Sequence, residues 1–186
     1  MIIRNVVEHK ITSTSRCKSC GNTKVITDNH ILVSISINNL KKKSYNLNDL
    51  LNITFSHWVQ GNNESCKYCG ENAILIKRDL VLAKEIVIIH LVSFSLQDDK
   101  LVKIPGKFSL CSVPTSKILI AEQSYKVMSA IFHHGLCIET GRYTNMCRER
   151  TSSIWIETND TQVSKKQWPK GAKDIYILFL EKVVNK

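Results

Sequence analysis

Residues 125–144 read YKVMSAIFHHGLCIETGRYT. The apolar run from Tyr125 to His134 is a strand candidate. Gly135 and Gly141 bound a loop after it. In the stretch RYTNMCRER (142–150), Tyr143, Asn145 and Cys147 alternate with Thr144, Met146 and Arg148. Period two predicts a strand there, with SSIWIE (152–157) as its hairpin partner. At the loop exit a glycine, a cation and an aromatic ring stand in a row, as Gly141, Arg142 and Tyr143.

Strand patterns continue on either side. EIVIIHLVSF (85–94) is rich in β-branched residues and has no glycine or proline, which predicts a central strand buried on both faces. DIYILFLEKV (174–183) predicts a final buried strand. In HILVSISI (30–37), Ile31, Val33, Ile35 and Ile37 share one face and Ser34 and Ser36 the other, the pattern of a half-buried strand. ENAILIKRDL (71–80) is a further strand, while YNLNDLLNITF (45–55) spaces Leu47, Leu50 and Leu51 for a short helix behind polar caps. Asp98–Asp99, Pro105–Gly106 and Pro114 mark turns, with short strands expected around KFSLCS and KILIA. Many strands and few helices define a β-dominated α+β domain.

The 186 residues fit one domain with a protruding subdomain. No apolar run approaches the roughly 20 residues of a spanning helix. MIIRNVVEHK lacks the apolar segment of a secretory signal. The expectation is an intracellular protein of the cytoplasm or nucleus, with no membrane partner. The net charge of +10 raises nucleic acid as a partner. Its lysines are scattered, however: only KKK (41–43) clusters, and aromatics do not interleave with the charge as a stacking platform requires. A solvated basic surface accounts for the pattern.

The seven cysteines include two C-x-x-C pairs, Cys17–Cys20 and Cys66–Cys69, each followed by glycine (Gly21, Gly70). Two such turns supply four thiolates, the closed shell of one structural Zn2+. The glycines permit the left-handed turn that aims backbone amides at the sulfurs. Residues 21–65 between the pairs exceed the roughly 15–20 of a compact zinc ribbon, so a strand pair and a helix are expected there. The rival readings are free thiols or disulfides. A redox role lacks its βαβ setting. Cys111, Cys137 and Cys147 stand alone.

Taken in order, these features resemble the ubiquitin-specific proteases, the cysteine deubiquitinases. That family places LxIxLxRF after its second zinc knuckle, then YxLxAVIxHxG…GHYxxxxR…W…(N/D)D…V, then YxLFY. Tyr125, Ala130, His133, Gly135, Gly141, Tyr143, Arg148, Trp155, Asn159, Asp160, Val163, Tyr176, Leu178 and Phe179 match it. The resemblance covers roughly residues 14–183. It implies a papain-like fold of zinc-bearing fingers (about residues 14–80) on an antiparallel palm (about 81–186), within one fragment, 1–186. The family's thumb, with its nucleophilic cysteine box, has no counterpart in this sequence.

The resemblance also implies that Gly135, Gly141 and Tyr143 belong to the loop over the ubiquitin tail. Arg142 falls where the family has its catalytic histidine, and Asn159 and Asp160 where it has the orienting residues. A guanidinium keeps its proton to about pH 12 and has no lone pair to accept one, so it is no general base. The expectation is a pseudoenzyme with no intact catalytic set, binding ubiquitin, a ubiquitin-like protein, or a partner on the thumb-facing side. The alternatives are an active deubiquitinase whose thumb is encoded elsewhere, and a zinc-clipped nucleic-acid-binding protein. A paired guanidinium further predicts a two-point contact between Arg142 and Asp160.

Overall fold

The computed structural model describes residues 4–38, 40, 42, 44–61, 65–97, 100–104, 109–110, 113, 117–137, 139–149, 154–169 and 171–184. Cys111, the turn signals at Asp98–Asp99, Pro105–Gly106 and Pro114, and Ser152–Ser153 lie outside these residues. Among the described residues two helices, α1 (Arg4–Val7) and α2 (Leu47–Phe55), accompany the strands. In chain order these are β1 (His9–Cys17), β2 (Thr23–His30), β3 (Leu32–Ser36), β4 (Ser44–Tyr45), β5 (Val59–Gln60), β6 (Ile74–Leu82), β7 (Ile86–Val92) and β8 (Phe94–Gln97). They continue as β9 (Lys100–Lys103), β10 (Ser109–Leu110), β11 (Ile118–Ile120), β12 (Gln123–His134), β13 (Arg142–Arg148), β14 (Trp155–Asn159), β15 (Gln162–Lys166) and β16 (Ile175–Lys182). No helix among the described residues is long and apolar enough to cross a membrane.

An eight-stranded sheet runs β15-β14-β13-β12-β16-β7-β3, with β11 also on β12. Every pairing in it is antiparallel except β3 with β7. One face of this sheet makes the core, through Val33, Ile35, Val87, Ile89, Leu91, Ala130, Phe132, Met146, Trp155, Leu178 and Leu180. Helix α2 covers part of the core with Leu47, Leu50 and Leu51. Its start follows from local chemistry. Asn46 Oδ1 accepts from the Asp49 amide at 2.8 Å, and Asp49 Oδ2 accepts from the Asn46 amide at 3.4 Å. This reciprocal capping box satisfies amides that the first turn leaves unpaired. Asn46→Ala should therefore cost about 1 kcal/mol of stability in denaturant unfolding, with the slope unchanged.

Strand β7 corrects one expectation. Val87, Ile89 and Leu91 are fully buried, but Ile86, Ile88, His90 and Val92 are only half-buried. The strand is central, between β16 and β3, yet only one face of its sheet lies on the core. The strand in 30–37 keeps its stripe at Val33, Ile35 and Ile37, whereas Ile31 is exposed.

A second, antiparallel sheet has the order β2-β1-β6-β5. Strands β1 and β2 were not legible in the sequence. Every residue of β2 is exposed, and β1 buries only His9, Ile11 and Cys17, so neither shows a clean apolar period.

Candidate metal centre and catalytic face

The two C-x-x-C turns close on each other at one end of the four-stranded sheet. Each repeats one bonding pattern. The Gly21 amide donates to the Cys17 carbonyl at 3.0 Å and the Cys17 amide to Asn22 at 2.9 Å. The Gly70 amide donates to Cys66 at 2.8 Å and the Cys66 amide to Glu71 at 2.8 Å. Gly21 (φ 73°) and Gly70 (φ 77°) take the left-handed conformation that this turn requires. The Lys18 amide reaches the Ala73 carbonyl at 2.9 Å and ties one turn to the other.

All four sulfurs lie within 4.8 Å of one another. Cys17 Sγ is 3.7 Å from Cys69 Sγ, and Cys20 Sγ is 3.6 Å from Cys66 Sγ. A tetrahedral zinc with bonds of about 2.3 Å requires an edge of about 3.8 Å, whereas a disulfide requires about 2.05 Å. Electrostatics agree. The amides of Cys20 and Ser19 hold the Cys17 thiol down at about 6. The Glu71 amide favours the Cys69 thiolate too, but burial and the crowding sulfurs push Cys69 up to about 12. Four thiolates repel one another at this spacing, and a divalent cation removes the conflict. Cys17, Cys20, Cys66 and Cys69 therefore fit a structural zinc.

The second cluster lies at one end of the large sheet. Strand β12 leaves at His134 and β13 returns at Arg142, which are direct register partners. The β13–β14 pairing sets Asn145 against Thr158 and Met146 against Glu157. Continued by one place, it sets Asn159 against Thr144. Alternation then puts Arg142, Thr144, Asn159 and His134 on one face and Tyr143, Asn145 and Asp160 on the other. Arg142 and Asn159, which the resemblance sets at the family's catalytic positions, thus share one face of the sheet.

The expected contact between Arg142 and Asp160 is not formed. Asp160 sits in the β14–β15 turn at φ 50°, and both side chains are exposed. It lines a shallow hollow with Tyr143, Asn145, Thr158 and Phe179, on the face opposite Arg142. Among the described residues Arg142 makes no ion pair. Period-two alternation is the reason: adjacent residues of a strand end cannot both face the same neighbour.

His134 Nε2 lies 2.8 Å from Thr144 Oγ1 and its ring stacks on Phe132. His133 points the other way, fully buried against Phe94, Tyr143 and Tyr176, with ring centroids 5.1, 4.8 and 6.4 Å away. Burial, with help from the Lys103 charge, holds its pKa below the ordinary 6.5. Among the described residues neither ring nitrogen has a hydrogen-bond partner. His133 is a neutral packing residue.

The loop after it is tied down. The Lys103 amide donates to Leu136 at 2.8 Å, and Lys103 Nζ donates to the His133 carbonyl and to Asp174, both at 2.6 Å. This link through β9 was not legible in the sequence, because it joins residues distant along the chain. Cys137 is half-buried in the same loop, bridged to Val102. Cys147 shares the Tyr143 face, beside Asn145 and Ser129.

Comparisons with known proteins agree with this geometry. The sequence model described as "Ubiquitin carboxyl-terminal hydrolase" matches residues 1–180. No curated protein matches the chain by sequence. Among solved structures, a chain of the SAGA Ubp8/Sgf11/Sus1/Sgf73 DUB module bound to ubiquitin aldehyde is similar at a TM-score of 0.74 and 18% identity, over 100% of this chain and 43% of that one. A yeast SAGA DUB module with mutant Sgf73 gives a TM-score of 0.76 at 19% identity, over 100% of this chain and 43% of that one. The Ubp8-Sgf11-Sgf73-Sus1 module gives 0.74 at 20% identity, over 98% and 41%. The chain thus spans less than half the length of the solved chains it matches. Its knuckles, its large antiparallel sheet and the family match over residues 1–180 agree: the chain belongs to the ubiquitin carboxyl-terminal hydrolase family, in its ubiquitin-specific protease branch.

Proposed function

We propose that this chain is a ubiquitin-binding palm and fingers that does not hydrolyse ubiquitin conjugates as it stands. The four-stranded sheet with its zinc knuckles acts as the fingers, and the eight-stranded sheet as the palm. The carrying observation is Arg142, which stands on the face shared with Asn159 where the family uses a histidine base. A permanently protonated guanidinium cannot take a thiol proton or return it to a leaving amine. Cys147 lies on the opposite face, beside Ser129 and Asn145 and with no base among the described residues, so it does not substitute as nucleophile. Similar solved chains occur in modules bound to ubiquitin aldehyde and to further protein subunits, which supports ubiquitin and a second protein as partners. The second protein would cover the Arg142–Asn159 face, the part that the thumb plays in the family. The intracellular setting expected from the sequence belongs to the same reading.

The alternative is one part of an active deubiquitinase completed by a separate thumb. The retained placement of Asn159 beside position 142 favours it. Calorimetric titration with ubiquitin and an assay on a ubiquitin–fluorophore substrate test both. Binding without turnover is expected, and Arg142→His should still give none, because the base without its nucleophile is insufficient. Turnover by either protein overturns the non-catalytic reading. Absence of ubiquitin binding overturns the module reading.

A further inference from the structure

We propose that two copies of this chain pair along the free edge of β2, antiparallel and centred on Ile26. Strand β2 is the outer strand of the β2-β1-β6-β5 sheet, and all eight of its residues, TKVITDNH, are exposed. It carries no proline, and its pairing with β1 runs without a bulge. Val25 is 59% and Ile26 41% exposed. A long regular edge of this kind is a template for another strand.

Hydrogen-bond phase and charge select both the occupant and the register. The Cys17 amide bonds to the Asn22 carbonyl at 2.9 Å, which marks the Cys17–Asn22 pair as hydrogen-bonded. Antiparallel pairs alternate between bonded and unbonded. With the Arg16–Thr23, Thr14–Val25, Thr12–Thr27 and Lys10–Asn29 register, residues Thr23, Val25, Thr27 and Asn29 therefore turn their amides and carbonyls outward. A two-fold partner must bring these groups opposite one another, so the axis passes through a single residue.

Centring on Lys24 sets lysine against lysine, and centring on Asp28 sets aspartate against aspartate. Centring on Val25 places Lys24 against Ile26, and centring on Thr27 places Ile26 against Asp28. Only Ile26 places Lys24 against Asp28, twice, with Ile26 meeting its own copy. Those pairs fall at unbonded positions, where facing side chains are closest. Val25–Thr27 and Thr23–Asn29 then exchange the backbone bonds, again twice each. Among the described residues neither Lys24 nor Asp28 has an ion pair within its own chain. A self-complementary edge is the chemistry of a second copy of this chain. The two four-stranded sheets would join into one continuous sheet.

Sedimentation velocity of the zinc-loaded chain over a range of concentrations tests the proposal. A reversible dimer is expected. Lys24→Asp or Asp28→Lys alone should weaken it by about tenfold or more, since each variant sets like charges face to face at two places. The double variant Lys24→Asp/Asp28→Lys should restore it. Ile26→Cys should form an intermolecular disulfide under mild oxidation, and Val25→Cys, whose partner is Thr27, should not. Zinc content and the circular dichroism of each variant report that the sheet is intact. A monomer at every concentration, a dimer indifferent to both charge variants, or equal cross-linking of the two cysteine variants would overturn it.

Discussion

Removing zinc should unfold the four-stranded sheet and leave the eight-stranded sheet folded. The four-stranded sheet has almost no core of its own: β2 is wholly exposed, and no residue of β6 is fully buried. Its buried side chains on β1 are His9, Ile11 and the ligand Cys17, with Cys66 across the gap. The large sheet holds the continuous apolar cluster from Val33 to Leu180. Structural zinc in zinc-finger peptides contributes about 10–16 kcal/mol, comparable with the whole stability of about 5–15 kcal/mol of an ordinary domain. Metal analysis of protein purified without added zinc should give about one equivalent, as one closed site requires. After chelation, hydrogen exchange should show β1 and β6 losing protection while β7, β12 and β16 retain theirs. Metal-free protein, or unchanged exchange after Cys→Ser replacement of all four ligands, would refute the site.

Gly141→Ala should destabilise the large sheet by about 1–3 kcal/mol, the range for adding a group to a filled site. A Cβ at Gly141 would stand 2.7 Å from His133 Nε2 and 2.7 Å from the His134 carbonyl oxygen. The imidazole cannot withdraw, since Phe94, Tyr143 and Tyr176 close around it. The carbonyl belongs to the backbone of β12, which pairs with β13 at that place. The strands must part or the ring must move. His133→Ala should relieve one of the two clashes, so the double variant should cost less than the sum of the single ones. Denaturant unfolding reads both effects. A cost for Gly141→Ala below about 0.5 kcal/mol, the scale of an ordinary surface change, would mean that the contact relaxes freely.

Elements that bury one face were legible beforehand, because water enforces their period. Tyr125–His134, Arg142–Arg148 and the Leu47, Leu50, Leu51 helix appear where the apolar pattern places them. Strands β1 and β2 are not legible for the same reason in reverse: β2 is exposed throughout and most of β1 is only half-buried, so neither needs an apolar period. The run at 85–94 predicts burial on both sides yet buries one, because β-branched richness records strand propensity and not how many faces are covered.

By itself the sequence determined the chemistry of the candidate metal ligands and that the side chain at position 142 is no base. Four thiols in two glycine-bounded turns specify a soft tetrahedral cation wherever they meet, and an arginine cannot act as a base in any fold. Tertiary structure alone decided what each residue faces. The pairing of β13 with β14 put Asn159 on the Arg142 side and Asp160 on the other, buried His133, left His134 beside Thr144, and turned the charges of β2 outward. Side-chain direction in a strand follows residue parity and the register of pairing. Parity is local, but which face meets the core and which residue lies opposite depend on pairing between strands distant along the chain, as for β12 with β16 and β16 with β7.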